Sequence, residues 1–189
     1  MTDAADFPRA TIAIFLSGKP KHWWVAVAYW AIRVYQKVLK QYKRDTDAIH
    51  AVIKVGGVGE DDWLSTEAPR TVIRHLYGHG ARISFYQYRY IDQATGTGWD
   101  AFNQAVMRLN GTDYDFGQLI QIILDYFKWT GLNTDLSDND KVCSVSVAFV
   151  LRALTKADNL PQALTEPVED TAPAAFGNSP NFELIEEWP

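Results

Sequence analysis

The sequence predicts an α+β fold in which an antiparallel sheet packs against helices. Three features point to it. Short segments alternate apolar and polar residues with a period of two, as half-buried strands do. Other segments repeat their apolar residues at helical spacing. The candidate strands lie close together along the chain, which favours hairpins over parallel crossovers.

Residues 10–17 (ATIAIFLS) predict a short strand ended by Gly18 and Pro20. Residues 21–42 predict a helix with Val27, Ala31, Val34, Tyr35 and Val38 on one face. Arg33, Lys37, Lys40, Lys43 and Arg44 cluster toward its C-terminal end. The dipole favours cations there, and they are read as a solvated face. Trp23, Trp24 and Trp30 suit a core or a cleft wall, with membrane-surface or assembly contact as the alternative. Residues 47–55 (DAIHAVIKV) and 62–68 (DWLSTEA) predict two strands joined by the glycine-rich turn GGVGE. TVIRHLYGHG carries no assignment beyond its glycine ending, and ARISFYQYRYI alternates as a strand does.

Asp100 is a candidate N-cap for a helix to Leu109, stopped by Asn110-Gly111. Asp115 is another, for a helix through Trp129. A helix starting at Cys143 places Val147, Val150, Leu151 and Leu154 on one face. From Asp158 the chain is rich in proline and acid. It is expected to wrap the domain, with Phe182, Leu184 and Ile185 in a final strand. The division expected is a main domain over 1–160 and an extension over 161–189 that packs on it.

Composition narrows the function. With 189 residues, 47% of them hydrophobic, one domain can bury a core without staples. A net charge of −5 gives no general attraction to nucleic acid, and none is expected as a partner. The single cysteine rules out an intrachain disulfide and a zinc site built on several thiolates. The opening MTDAADFPRA lacks the apolar core of a secretory signal. The longest apolar run, residues 23–32, is too short to span a bilayer. Synthesis in the cytoplasm is therefore expected, and any external target would need another delivery route.

Cys143 is the first candidate for chemistry. At a helix start, unpaired N–H groups stabilise a thiolate and can hold an oxyanion. A buried cysteine on the core face is the competing reading, since the helix stripe extrapolates back to 143 or 144. A thiol also needs an imidazole, and the imidazole a polar partner. If the hairpin turn is centred between Val58 and Gly59, His50 faces Glu67 across the strands, about 5 Å apart at Cβ. A half-exposed histidine and an exposed carboxylate on a solvated sheet face are the alternative. His75 and His79 stand four apart, but the glycines beside His79 break the helix that a shared metal would need. No metal or cofactor is called for.

The segments AIHAVIKV, TEAPRTV, RLNGTDYDF, KVCSVSVAFVLRAL and NSPNFELI together resemble the circularly permuted branch of the NlpC-type papain-like superfamily. There the histidine strand precedes the cysteine helix. The resemblance implies a papain-like fold with the nucleophile at a helix N-terminus. It implies Cys143 as nucleophile, His50 as base and Glu67 as the orienting third member. It also implies Tyr114 as a hydroxyl donor near the oxyanion, for which a core tyrosine is the alternative. The residues after Cys-Ser are Val-Ser where Glu-Leu is expected, a departure that bears on substrate. The activity implied is that of a cysteine hydrolase, a thiol peptidase or amidase acting through a thioester, with peptidoglycan stem peptides as substrate class and cell-wall degradation, as by a phage component, as its setting. Two alternatives stand beside it: an acyltransferase or lipid hydrolase of the lecithin–retinol type, and a non-catalytic module of a larger assembly such as a phage particle.

Overall fold

The computed structural model describes residues 2–16, 23–67, 70–76, 81–113, 143–168 and 171–189. Six strands form one sheet: β1 (Ile12–Leu16), β2 (Ala48–Lys54), β3 (Trp63–Glu67), β4 (Arg70–Arg74), β5 (Arg82–Tyr88) and β6 (Phe182–Trp188). Their order is β4-β3-β2-β1-β5-β6. Every neighbouring pair is antiparallel. Among the described residues the α-helices are α1 (Trp23–Val34), α2 (Gly96–Leu109), α3 (Cys143–Ala157) and the single turn α4 (Ala175–Asn178). The α+β fold with an antiparallel sheet against helices is thus observed.

Strand alternation divides the core in two. Ile12, Ile14, Ala51, Ile53, Leu64, Tyr86 and Tyr88 face the helices, where Phe102, Val106, Val147, Val150, Leu151 and Leu154 meet them. The cysteine-helix stripe expected at 147, 150, 151 and 154 is buried as read. Ala13, Val52, Trp63, Ile83 and Phe85 point the other way and are covered by Ala4, Phe7 and Trp188. Phe7 stacks on Phe85 with ring centroids 4.2 Å apart. Lys54, fully buried on that face, donates from Nζ to the carbonyls of Ala4 and Ala5 at 3.1 and 2.6 Å. A buried ammonium without acceptors would be costly, so these bonds fix the N-terminal segment in place. The face carrying Val52 and Lys54 is therefore packed, not solvated.

Several boundaries differ from the sequence reading. α2 begins four residues before Asp100, because the Thr95 side chain caps it by accepting from Thr97 N–H at 3.3 Å. Its stop is as expected, with Asn110 as C-cap and Gly111 at φ +87°. β4, unassigned from sequence, forms because residues 70–74 continue the antiparallel register from β3. α1 passes into a π-helical turn at Tyr35–Leu39. The basic cluster behind it is partly engaged: Lys37 pairs with Asp47 at 2.9 Å and Lys40 with Glu166 at 3.0 Å. The expected helix at 115–129 lies outside the described residues. Among the described residues no helix is long and apolar enough to cross a membrane.

Gln36, in the π-helical turn, is fully buried and joins three segments. Its Nε2 donates to the carbonyls of Thr46 and Ala48 at 3.2 and 2.9 Å, and its Oε1 accepts from Ala174 N–H at 2.8 Å. Replacing it leaves buried backbone groups unpaired. Gln36→Leu is expected to lower unfolding stability in urea by about 3 kcal/mol. A loss under about 1 kcal/mol would mean that the three segments hold together without it.

Candidate functional site

The site forms where the start of α3 meets β2. The β2–β3 ladder pairs Lys54 with Trp63, Ile53 with Leu64 and Val52 with Ser65. Extending that register by two residues sets His50 opposite Glu67, the alignment expected from a turn centred between Val58 and Gly59. On its other side β2 carries a register shift. Phe15 pairs with His50 but Leu16 with Ala48, leaving Ile49 as an extra residue. Such a bulge increases local twist and re-aims side chains, and it lies directly beside His50. Phe15 packs on the His50 ring, with centroids 5.5 Å apart.

α3 is docked by hydroxyls as well as by its apolar stripe. Thr66 Oγ1 donates to Ser146 Oγ at 2.8 Å, and Thr71 Oγ1 donates to Thr66 at 3.1 Å. Ser144 Oγ donates to the Thr171 carbonyl at 2.6 Å. These buried bonds fix the helix along its axis and about it. They deliver Cys143, the first residue of α3, to β2.

There the His50 ring and the backbone of Ala51 and of Ser144 come close enough to the Cys143 sulfur to favour its thiolate. Burial pushes the thiol up, since it disfavours a charged sulfur. The His50 ring, joined by the two backbone groups, outweighs burial and holds the thiol below its ordinary value. Cys143 is buried, at 6% exposure, and lies beside the His50 imidazole.

His50 Nε2 lies 3.1 Å from Ser65 Oγ and 3.4 Å from Glu67 Oε1. Ser65 Oγ donates to Glu67 Oε1 at 2.9 Å. Arg74 closes the cluster through an ion pair with the same Glu67 oxygen. The His50 side chain is 15% exposed and that of Glu67 38%. The histidine is thus more enclosed than the solvated-face alternative has it, while the carboxylate keeps the exposure that alternative expects. Tyr29 on α1 is near enough to feel the sulfur: burial first, and then the Cys143 charge, raise its hydroxyl above the ordinary value.

The structure therefore brings together Cys143, His50 and Glu67. Tyr114 lies outside the described residues. His75 is elsewhere, with Nδ1 2.9 Å from the Asp61 carbonyl, and His79 is also outside the described residues. Sequence reasoning missed Ser65, although it shares a strand face with Glu67 two residues on. It missed Arg74 because β4 was not recognised. Tyr29 carried no local signal.

No protein-family model matches this chain, and no curated protein is significantly similar to it.

The lowered thiol has a direct consequence for alkylation. A thiolate reacts and a thiol does not. The Cys143 rate with iodoacetamide is expected to persist as the pH falls below the range in which a free thiol has lost its reactivity. His50→Asn removes the lowering contribution of the ring and leaves burial. Its rate in mildly acidic buffer should drop at least about tenfold, the equivalent of one pKa unit. A wild-type profile that follows a free thiol would contradict the pairing.

Proposed function

We propose that the protein is a cysteine hydrolase, an amidase or peptidase that acts through a thioester on Cys143. The observation that carries this reading is the buried thiol at a helix start, beside an imidazole and held below its ordinary pKa. A cysteine that served only as a core filler would have no reason to be paired in this way. The order of histidine strand before cysteine helix adds the resemblance to the permuted NlpC-type papain-like branch.

In this mechanism the Cys143 thiolate attacks a carbonyl carbon. Backbone N–H groups at the start of α3 stabilise the oxyanion. His50 gives a proton to the leaving group, and the acyl group stays on sulfur as a thioester. His50 then takes a proton from water, the hydroxide attacks the thioester, and the thiolate is released. Glu67 orients the ring. The preferred substrates are peptide amides of the kind found in peptidoglycan stems. The same chemistry on a fatty-acyl ester is the acyltransferase or lipid-hydrolase alternative.

Intact-mass spectrometry tests both. Incubation with peptidoglycan stem peptides is expected to add an acyl mass to Cys143 that turns over in water. Acylation by fatty-acyl esters alone would move the protein to the lipid class. Cys143→Ala should abolish the adduct, and His50→Asn should slow its formation at least about a hundredfold. Glu67→Gln should slow it about tenfold or more. Absence of any adduct with either substrate class, in a protein whose thiol alkylates as described above, would sink the hydrolase reading.

A further inference from the structure

We propose that Ser65 is a positioning residue that fixes the tautomer of His50, keeping a hydrogen on Nε2 so that Nδ1 is the nitrogen that serves Cys143. The proposal rests on the cysteine-hydrolase reading for its purpose, and on hydrogen-bond direction for its substance.

The direction follows from counting hydrogens. An ionised carboxylate only accepts, and a hydroxyl has one hydrogen to give. Ser65 Oγ is 2.9 Å from Glu67 Oε1, so its hydrogen goes to the carboxylate, in a charge-assisted bond. The serine oxygen is then left to accept from the other neighbour in reach, His50 Nε2 at 3.1 Å. Nε2 must therefore carry a hydrogen. The chain runs one way, from His50 Nε2–H to Ser65 Oγ–H to Glu67. It runs the same way whether the ring is neutral or an imidazolium.

With Nε2 engaged by Ser65, Nδ1 is the ring nitrogen left to face Cys143. Only Nδ1 gains and loses a proton. It gives one to the leaving group on acylation and takes one from water on deacylation. No proton passes through Ser65, which keeps its own.

Glu67 cannot do this alone. Its oxygen is 3.4 Å from Nε2, beyond the ordinary range for an N–H···O bond. It also receives Ser65 and Arg74 on that same oxygen. Ser65 fills the gap because it stands opposite Val52, one diagonal step from His50 on the same sheet face. At 1% exposure it competes with little water for either partner.

The test is nitrogen NMR on protein labelled in its histidines, with the His50 signals assigned by their loss in His50→Asn. In the wild type, neutral His50 is expected to carry its hydrogen on Nε2. Ser65→Ala should give a mixture of tautomers. It should also lower the alkylation rate of Cys143 in mildly acidic buffer by about tenfold, the scale of one hydrogen bond to a charged group. Ser65→Thr, which keeps the hydroxyl, should restore both. Neutral His50 that carries its hydrogen on Nδ1 and none on Nε2 in the wild type overturns the proposal without recourse to any variant. So does a Ser65→Ala protein with the wild-type tautomer and pH profile. A wild-type protein that holds Nε2–H but forms no thioester overturns the hydrolase reading and leaves the tautomer assignment standing.

Discussion

The register between β2 and β3 is the constraint on which the site depends. Side chains alternate across a strand, so a slip of β3 by one residue would turn its two faces over relative to β2. Ser65 and Glu67 would then leave the face that carries His50, and Leu64 would leave the core. The apolar residues hold the register against that slip, since Ile53 and Leu64 pair with each other and are fully buried between sheet and helices. Lys54 and Trp63 close the other face under the N-terminal segment. The polar cluster is thus aligned by core residues that take no part in it.

The same hairpin also positions α3. Thr66 lies between Ser65 and Glu67 and points to the opposite face, where its hydroxyl meets Ser146. Three consecutive residues of β3 therefore orient both halves of the site. Ser65 and Glu67 hold the imidazole, and Thr66 holds the helix that carries the thiol. Desolvating the sulfur works against its ionisation. The arrangement tolerates this because the imidazole and two backbone groups reach the sulfur from fixed positions and need no reorganisation to do so.

Much of this was legible in the sequence. The period-two pattern around His50 and the glycine turn at 56–59 were enough to align His50 with Glu67, and the stripe from Val147 to Leu154 was enough to start a helix at Cys143. What stayed hidden has physical reasons. The bulge at Ile49 has no sequence mark, because it arises from how β1 and β2 pair. β4 is an edge strand with an exposed Val72 and Ile73, so its pattern lacks the buried face that marks an inner strand. Without β4, Arg74 had no route to Glu67. Ser65 is hidden because a lone serine in a strand carries no signal until the direction of its hydrogen bonds is known.

Arg74 then bears on what kind of partner Glu67 is. A bare carboxylate against an imidazole would favour the imidazolium strongly and would hold its proton. Here one oxygen of Glu67 accepts from Ser65 and also faces a guanidinium. Its charge is shared with a permanent cation, and its contact with Nε2 is long. Glu67 is thereby better suited to orient the ring through Ser65 than to stabilise its charge. That division of labour fits the base of the proposed hydrolase, which would give a proton to a leaving group in one step and recover one from water in the next. The ring is held in direction through Ser65, with the Cys143 sulfur beside it.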